Sequence, residues 1–357
     1  MKAMVLEDHC EIRIEGEPRK KMDLPWREEP LRFMEVDKPF AAERYILVKV
    51  SACGICHTEL DEIEGRTPPS RLPVILGHQA VGIVAGLGPG AIRFKEGDRV
   101  GVAWIYSACG ACDLCKRGLE NLCEQFRATG RDADGGYAES MVVHEEFAYA
   151  IPKAFADVQA APLLCAGAIG YRSLALAALS DGQNLGLTGF GASAHLVLQM
   201  ARRKYSDSKV FVFARSEGER AFARELGAAW AGDSTEEPPE KLRAIIDTTP
   251  AWRPVAEALK HLEPGGRLVI NAIRKEERDK DALLGLDYAA QMWMEKEIKS
   301  VANVARSDVR EFLELAAEIE IQPDVKEYPL DAANEALWDL KAGRARGAKV
   351  LTIGSSV

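Results

Sequence analysis

The chain reads as a two-domain α/β protein, a mostly β first half followed by a doubly wound parallel sheet, and three observations predict this. At 357 residues it is longer than one hydrophobic core usually organises, so two domains are expected. Its first half carries short β-rich runs separated by Gly and Pro, the texture of a compact β domain with long loops. From about residue 180, apolar strands alternate with helical stretches, and that repetition builds crossover units on a parallel sheet.

In the first half, residues 44–50 (RYILVKV), 81–85 (VGIVA) and 99–104 (RVGVAW) supply strands. The charged, Pro-containing stretch from Glu11 to Val36 keeps neither a two-residue nor a 3.6-residue period and reads as an exposed excursion, longest around residues 15–30. In the second half the strands are NLGLTGF, KVFVFAR, LRAIIDTT, GRLVINAI and EIKSVAN, with helices from Ala192 to Lys204 and over 217–227 and 252–262. After residue 303 come an amphipathic helix from Asp308 to Glu320, another over 331–342, and a last strand, KVLTI; these read as a return to the first domain. The expected boundaries are 1–165, 166–303 and 304–357.

Composition narrows the function. With 47% hydrophobic and 28% charged residues the chain has the make-up of a soluble globular protein. A formal charge of -9 opposes nucleic acid or an anionic membrane as partner, which leaves small molecules. The opening MKAMVLEDHC lacks the apolar run of a signal peptide and no stretch approaches ~20 apolar residues, so a cytoplasmic location is expected. Eight cysteines, clustered and closely spaced, then favour metal ligation over disulfides.

Four of them, Cys109, Cys112, Cys115 and Cys123, fall as C-x2-C-x2-C-x7-C. Four thiolates at that spacing close around a tetrahedral ion and leave no place for water, which suits structural zinc. An iron–sulfur centre uses different spacings, and a nucleic-acid-binding zinc ribbon conflicts with the acidic charge. Cys56, His78 and Cys165 lie far apart, in CGICHTEL, LGHQAVG and LLCAGAIG; two cysteines and a histidine make the three-ligand set of a catalytic zinc, although spacing alone carries little weight here. Gly189, Gly191 and Ala194 form G-x-G-x-x-A between a strand and a helix, where glycines let the backbone approach a pyrophosphate seated on the helix N-terminus.

The motifs together resemble the zinc-containing medium-chain alcohol dehydrogenases along nearly the whole chain. Gly77, His78, Gln79, Gly82 and Gly88 follow the family signature, and the four-cysteine lobe, GDRV (Gly97 to Val100), DGGYAE (Asp134 to Glu139) and APLLCAG occur in family order. GHQ, LLCAG and GFGASAHL resemble a bacterial and archaeal branch related to the cinnamyl-alcohol-dehydrogenase-like enzymes. The resemblance implies a GroES-like, mostly β catalytic domain and a Rossmann cofactor domain, with one catalytic and one structural zinc per subunit.

It further implies that Cys56 rather than Cys53 is the ligand, that Thr58 bonds the substrate oxygen and starts a proton relay, and that Glu59 orients the ligating histidine. Trp104 would narrow the substrate pocket, with a core aromatic as the alternative, and His57 would contact cofactor phosphate. Gln79 departs from the usual Glu, and Asp61 stands where many members carry the relay histidine, so water or Asp61 would pass the last proton. At the end of the strand KVFVFAR, the acidic position of NAD-preferring relatives is Ala214, followed by Arg215 and Ser216, so NADP is favoured and NAD remains an alternative. The expected reaction is hydride exchange between primary alcohols or aldehydes and the nicotinamide. The alternatives are a polyol or aromatic-alcohol dehydrogenase, or a zinc- and nucleotide-binding redox sensor. A homo-dimer or homo-tetramer is implied, joined through edge strands such as GRLVINAI.

Overall fold

The computed structural model describes residues 1–10, 29–343 and 346–354, and it divides into two compact units. The first comprises Met1–Cys165, Ala305–Leu313 and Pro323–Val357; the second comprises Ala166–Val304 and Glu314–Gln322.

The first unit is built on a mostly antiparallel sheet. Its central strand, Tyr45–Ile55, pairs with Ala80–Leu87 on one side and Ala348–Thr352 on the other, and its first half also pairs with Ser140–His144. Along Tyr45–Val50 the side chains alternate in burial, as a strand with one wet face does; from Ala52 to Ile55 all are buried, so this end of the strand runs into the core. The core gathers Met4, Leu6, Ile46, Val48, Leu76, Met141 and Leu351. A smaller sheet joins Lys2–Leu6 to Val74–Ile75 and Arg32–Glu35. The expected excursion therefore ends earlier than residue 36, because Arg32–Glu35 pairs antiparallel with the first strand; residues 11–28 lie outside the described residues.

The second unit is a six-stranded, wholly parallel sheet in the order Trp230–Gly232, Val210–Phe213, Leu185–Thr188, Leu242–Asp247, Leu262–Ile270, Glu297–Ser300. The chain winds outward from Leu185–Thr188 in one direction and then returns to build the other, so the order reverses between Leu185–Thr188 and Leu242–Asp247. The strands Leu185–Thr188 and Val210–Phe213 are fully buried, as strands covered on both faces must be. The helix Ala192–Lys204 starts after Gly191 and ends on Arg202, Arg203 and Lys204, whose charges oppose the negative end of the helix dipole.

Two further expectations change. GRLVINAI is an interior strand: Glu297–Ser300 adds outside it, with Arg267 opposite Glu297, and this exposed strand is the edge of the sheet. Residues 314–322 fall with the second unit, where Gln199 exchanges two hydrogen bonds with the backbone of Gln322, instead of returning with the rest of the C-terminal segment. The chain also forms the helix Ala166–Ala177 and the strand Val325–Pro329.

Candidate functional site

Three segments of the first unit bring Cys56, His78 and Cys165 together. Cys56 follows the central strand as the N-cap of the helix His57–Ile63, His78 sits in the turn before Ala80–Leu87, and Cys165 ends the short helical turn Ala161–Leu164. One donor atom from each lies within 4.8 Å of the others, and His78 Nε2 is 3.2 Å from Cys165 Sγ. Gly77 makes the turn possible: its φ is +96°, and a Cβ there would strike the Tyr137 ring.

Glu59 holds two parts of this site at once. Its Oε1 lies 2.6 Å from His78 Nδ1, and its Oε2 accepts the Cys56 backbone N–H at 2.8 Å. Both Glu59 and His78 are fully buried, so Nδ1 is committed to the carboxylate and Nε2 is turned toward the sulfur atoms. The Thr58 hydroxyl is 3.5 Å from Cys56 Sγ. Hydrogen bonding from Cys165 and His78 holds the Cys56 thiol well below its usual range, whereas burial pushes the Cys53 thiol far above it. Cys53 does not join the converging group. Two thiols and a histidine, with no fourth protein donor among the described residues, fit a zinc that keeps a place open.

The four-cysteine lobe is built differently. Its sulfurs also lie within 4.8 Å of one another, and Cys109 Sγ and Cys115 Sγ are 3.8 Å apart, close to the separation that a tetrahedron with ~2.3 Å bonds requires. The backbone N–H groups of Ala111 and Cys112 donate to Cys109 Sγ at 3.4 and 3.3 Å, and Cys115 and Gln125 donate to Cys112 and Cys123. The first two draw the Cys109 thiol down to about 6. Such donors favour thiolates, and a closed set of four fits a structural zinc.

The remaining residues singled out in this unit are placed as follows. Asp61 is buried and ion-paired with Arg66 at 2.5 Å, which gives the carboxylate an occupation other than proton transfer. Trp104 is packed, with its ring stacked on Phe126 at 4.8 Å and under the Arg131 guanidinium at 5.5 Å; its indole N–H has no hydrogen-bond partner among the described residues. His57, the first residue of its helix, is exposed. Glu62, one turn beyond Glu59, is a fully buried carboxylate with no hydrogen-bond partner among the described residues, which the acidic run ELDEIE gave no reason to expect.

In the second unit, Gly189 leaves the strand with φ +77°, and a Cβ there would crowd Thr248 at 2.9 Å. Gly191 precedes the helix with open space beside its Cα, and Ala194 is buried where the helix meets the sheet. This turn lies at the carboxyl end of the strand beside the point of order reversal, where open α/β sheets bind ligands. Sequence reasoning missed a polar clamp there. Asp247 is fully buried; it accepts from the Thr188 and Thr249 hydroxyls at 2.5 and 2.8 Å and is ion-paired with Lys275.

Beyond the next strand, Ala214 is buried and Arg215 is exposed. Ser216 caps the helix Glu217–Glu225: it accepts from the Glu219 N–H at 3.2 Å while its hydroxyl donates to Glu219 Oε2 at 2.8 Å. Arg220 is anchored to Glu217 and to the Ala214 carbonyl.

Residues 42–153 match the alcohol dehydrogenase GroES-like domain, and residues 194–318 match the zinc-binding dehydrogenase domain. Over 329 residues the chain is 44% identical to a Mycobacterium tuberculosis protein described as the probable alcohol dehydrogenase AdhA, covering 91% of this chain and 93% of that one. It is 31% identical over 335 residues to an alcohol dehydrogenase of Geobacillus stearothermophilus, covering 91% and 96%. A solved cinnamyl alcohol dehydrogenase of Sorghum bicolor superimposes with a TM-score of 0.82 at 26% identity, covering all of this chain and 98% of that one. With both domain types present and this likeness spanning the chain, the protein belongs to the zinc-containing medium-chain alcohol dehydrogenases, oxidoreductases that use zinc and a nicotinamide cofactor.

Proposed function

We propose that this chain interconverts primary alcohols and aldehydes, with NADP as the favoured cofactor and two zinc ions per subunit. The observation that carries the reading is the convergence of Cys56, His78 and Cys165 beside the Thr58 hydroxyl, with Glu59 fixing the histidine. Zinc held by these three residues would supply Lewis acidity toward a substrate oxygen, and a bound nicotinamide would supply the hydride chemistry. Thr58 bonds that oxygen and takes up or delivers its proton. Glu59 keeps His78 in the tautomer that presents Nε2. Asp61, tied to Arg66, shapes the surroundings of Thr58, and the proton leaves by water. Trp104 limits the space for the substrate.

Cysteines 109, 112, 115 and 123 hold the second zinc. Gly189, Gly191 and Ala194 receive the pyrophosphate. The NADP preference rests on Arg215. The buried residue at the strand end is Ala214 instead of a carboxylate, Ser216 is engaged in its helix cap, and Glu217 and Glu219 are bound to neighbours. Among the described residues Arg215 has no ion-pair partner, which leaves it for a 2′-phosphate.

A homo-dimer is proposed through the exposed edge strand Glu297–Ser300, where Trp293, Met294 and Ile298 are exposed apolar side chains. The eight free cysteines suit the reducing cytoplasm. Among the described residues no single helix is long and apolar enough to cross a membrane.

The test is a set of initial rates for small aliphatic and aromatic aldehydes on zinc-replete protein, with NADPH and NADH side by side. Turnover with NADPH preferred is expected, and Arg215→Ala should erase the preference. An NADH preference in the parent protein overturns the role of Arg215, and no turnover with any aldehyde overturns the substrate class.

A further inference from the structure

A cavity of about 330 Å³ lies in the first unit, lined by Arg93, Tyr149, Arg306, Ser307 and Arg310, with two carboxylates, Glu120 and Glu146, on its walls. A second cavity of about 260 Å³ shares Glu120, Glu146 and Arg306 and reaches Cys109 and Cys115. Neither includes Cys56, His78, Cys165 or the glycine turn, so the larger one has no part in the reaction proposed above.

The cavity has unused capacity to bind an anion. Glu120 is taken up by Arg306, accepting its Nε–H at 2.8 Å and its backbone N–H at 3.1 Å. Glu146 meets Arg44, Arg93 and Arg306 at 3.2, 3.3 and 3.4 Å, each longer than the ~2.7–2.9 Å of a tight charge-assisted hydrogen bond. Arg310 is exposed, stands one turn after Arg306 on the same helix face, and has no ion-pair partner among the described residues. The helix Arg306–Glu318 begins at this wall, adding the positive end of its dipole.

An independent sign of a ligand comes from Tyr149. It is only 4% exposed, lines the cavity, and its hydroxyl has no hydrogen-bond partner among the described residues. A buried hydroxyl is normally paired, so it marks the place of a missing acceptor.

We propose that this cavity binds a phosphate group, free or as the monoester of a small metabolite, with Arg93, Arg306 and Arg310 pairing with its oxygens and the Tyr149 hydroxyl donating to one of them. Three guanidinium groups face two carboxylates here, and Arg310 and the Tyr149 hydroxyl remain as donors that neither carboxylate uses; a phosphate offers three oxygens and about two charges to take them up. The volume lies at the lower end of the range for small-molecule sites, enough for a phosphate with a short organic tail.

The experiment is calorimetric titration of zinc-loaded enzyme with inorganic phosphate and with glycerol 3-phosphate, on the parent protein, Arg310→Ala and Tyr149→Phe. Comparison with the variants removes any phosphate binding at the cofactor site. Saturable binding that each variant weakens by about tenfold or more is expected, the worth of one charge-assisted hydrogen bond. Turnover in phosphate-free buffer should be unchanged in both. Tighter binding of the ester identifies a metabolite as the ligand; equal binding identifies the free anion. Variants that titrate like the parent, or no saturable binding in the parent, overturn the proposal.

Discussion

The two sulfur centres of the first unit share thiolate chemistry and differ in construction. The lobe draws its four cysteines from fifteen consecutive residues, Cys109 to Cys123, and backbone N–H groups support its sulfurs. The centre at Cys56, His78 and Cys165 gathers its three side chains from 110 residues of chain, Cys56 to Cys165, and a buried carboxylate, Glu59, holds it. A local centre depends on metal to close its own loop; a dispersed one depends on the fold to assemble it. The first should therefore govern stability and the second should govern turnover.

Exchanging Cys165 for Ala is expected to have the largest effect: turnover falls to background, metal analysis finds one zinc fewer than in the parent, and the unfolding temperature barely moves. A fully active Cys165→Ala protein would overturn the ligand assignment. Cys112→Ala should do the reverse, losing the lobe zinc and, in denaturant unfolding, stability on the order of several kcal/mol, because a local metal loop carries its own folding energy. If that variant kept its stability but lost turnover, the division of labour would be wrong. Glu59→Gln should weaken zinc at the dispersed centre by roughly 10–100-fold, read by competition with a chelator, while lobe zinc stays in place. Equal loss from both centres would show that Glu59 acts on the fold and not on His78. Cys53→Ala should matter least: zinc content unchanged, with about 1 kcal/mol lost from the core it packs in.

The same distinction explains what could be read from the sequence. The lobe is legible because its spacing alone describes a tetrahedron. The dispersed centre is not, and only the motifs around each ligand, read as a family resemblance, connect Cys56 with His78 and Cys165. The helix Ala192–Lys204 was legible from the glycine turn before it and the basic residues at its end. The helix Ala166–Ala177 was not, since AGAIGYRSLALA is small and apolar almost throughout and shows little of the 3.6-residue contrast.

Strand order was the weakest point. GRLVINAI has the apolar residues of a strand that closes a sheet, yet the exposed EIKS lies outside it, and hydropathy carries no information about which strand is last. The capping role of Ser216 could be read from Ser-x-x-Glu, whereas the burial of Glu62 could not, because an acid among acids on a short helix ordinarily faces water.

The clamp at Asp247 has a consequence for how the nucleotide enters. Thr188 and Asp247 end the two strands that flank the reversal of sheet order, and Thr249, just beyond Asp247, and Lys275, in the segment after Leu262–Ile270, bind the same carboxylate. The crevice rim is thus cross-braced before any dinucleotide arrives. Little chain remains to be immobilised when it does, so the entropy that a floppy rim would forfeit on every catalytic cycle has already been lost once, during folding.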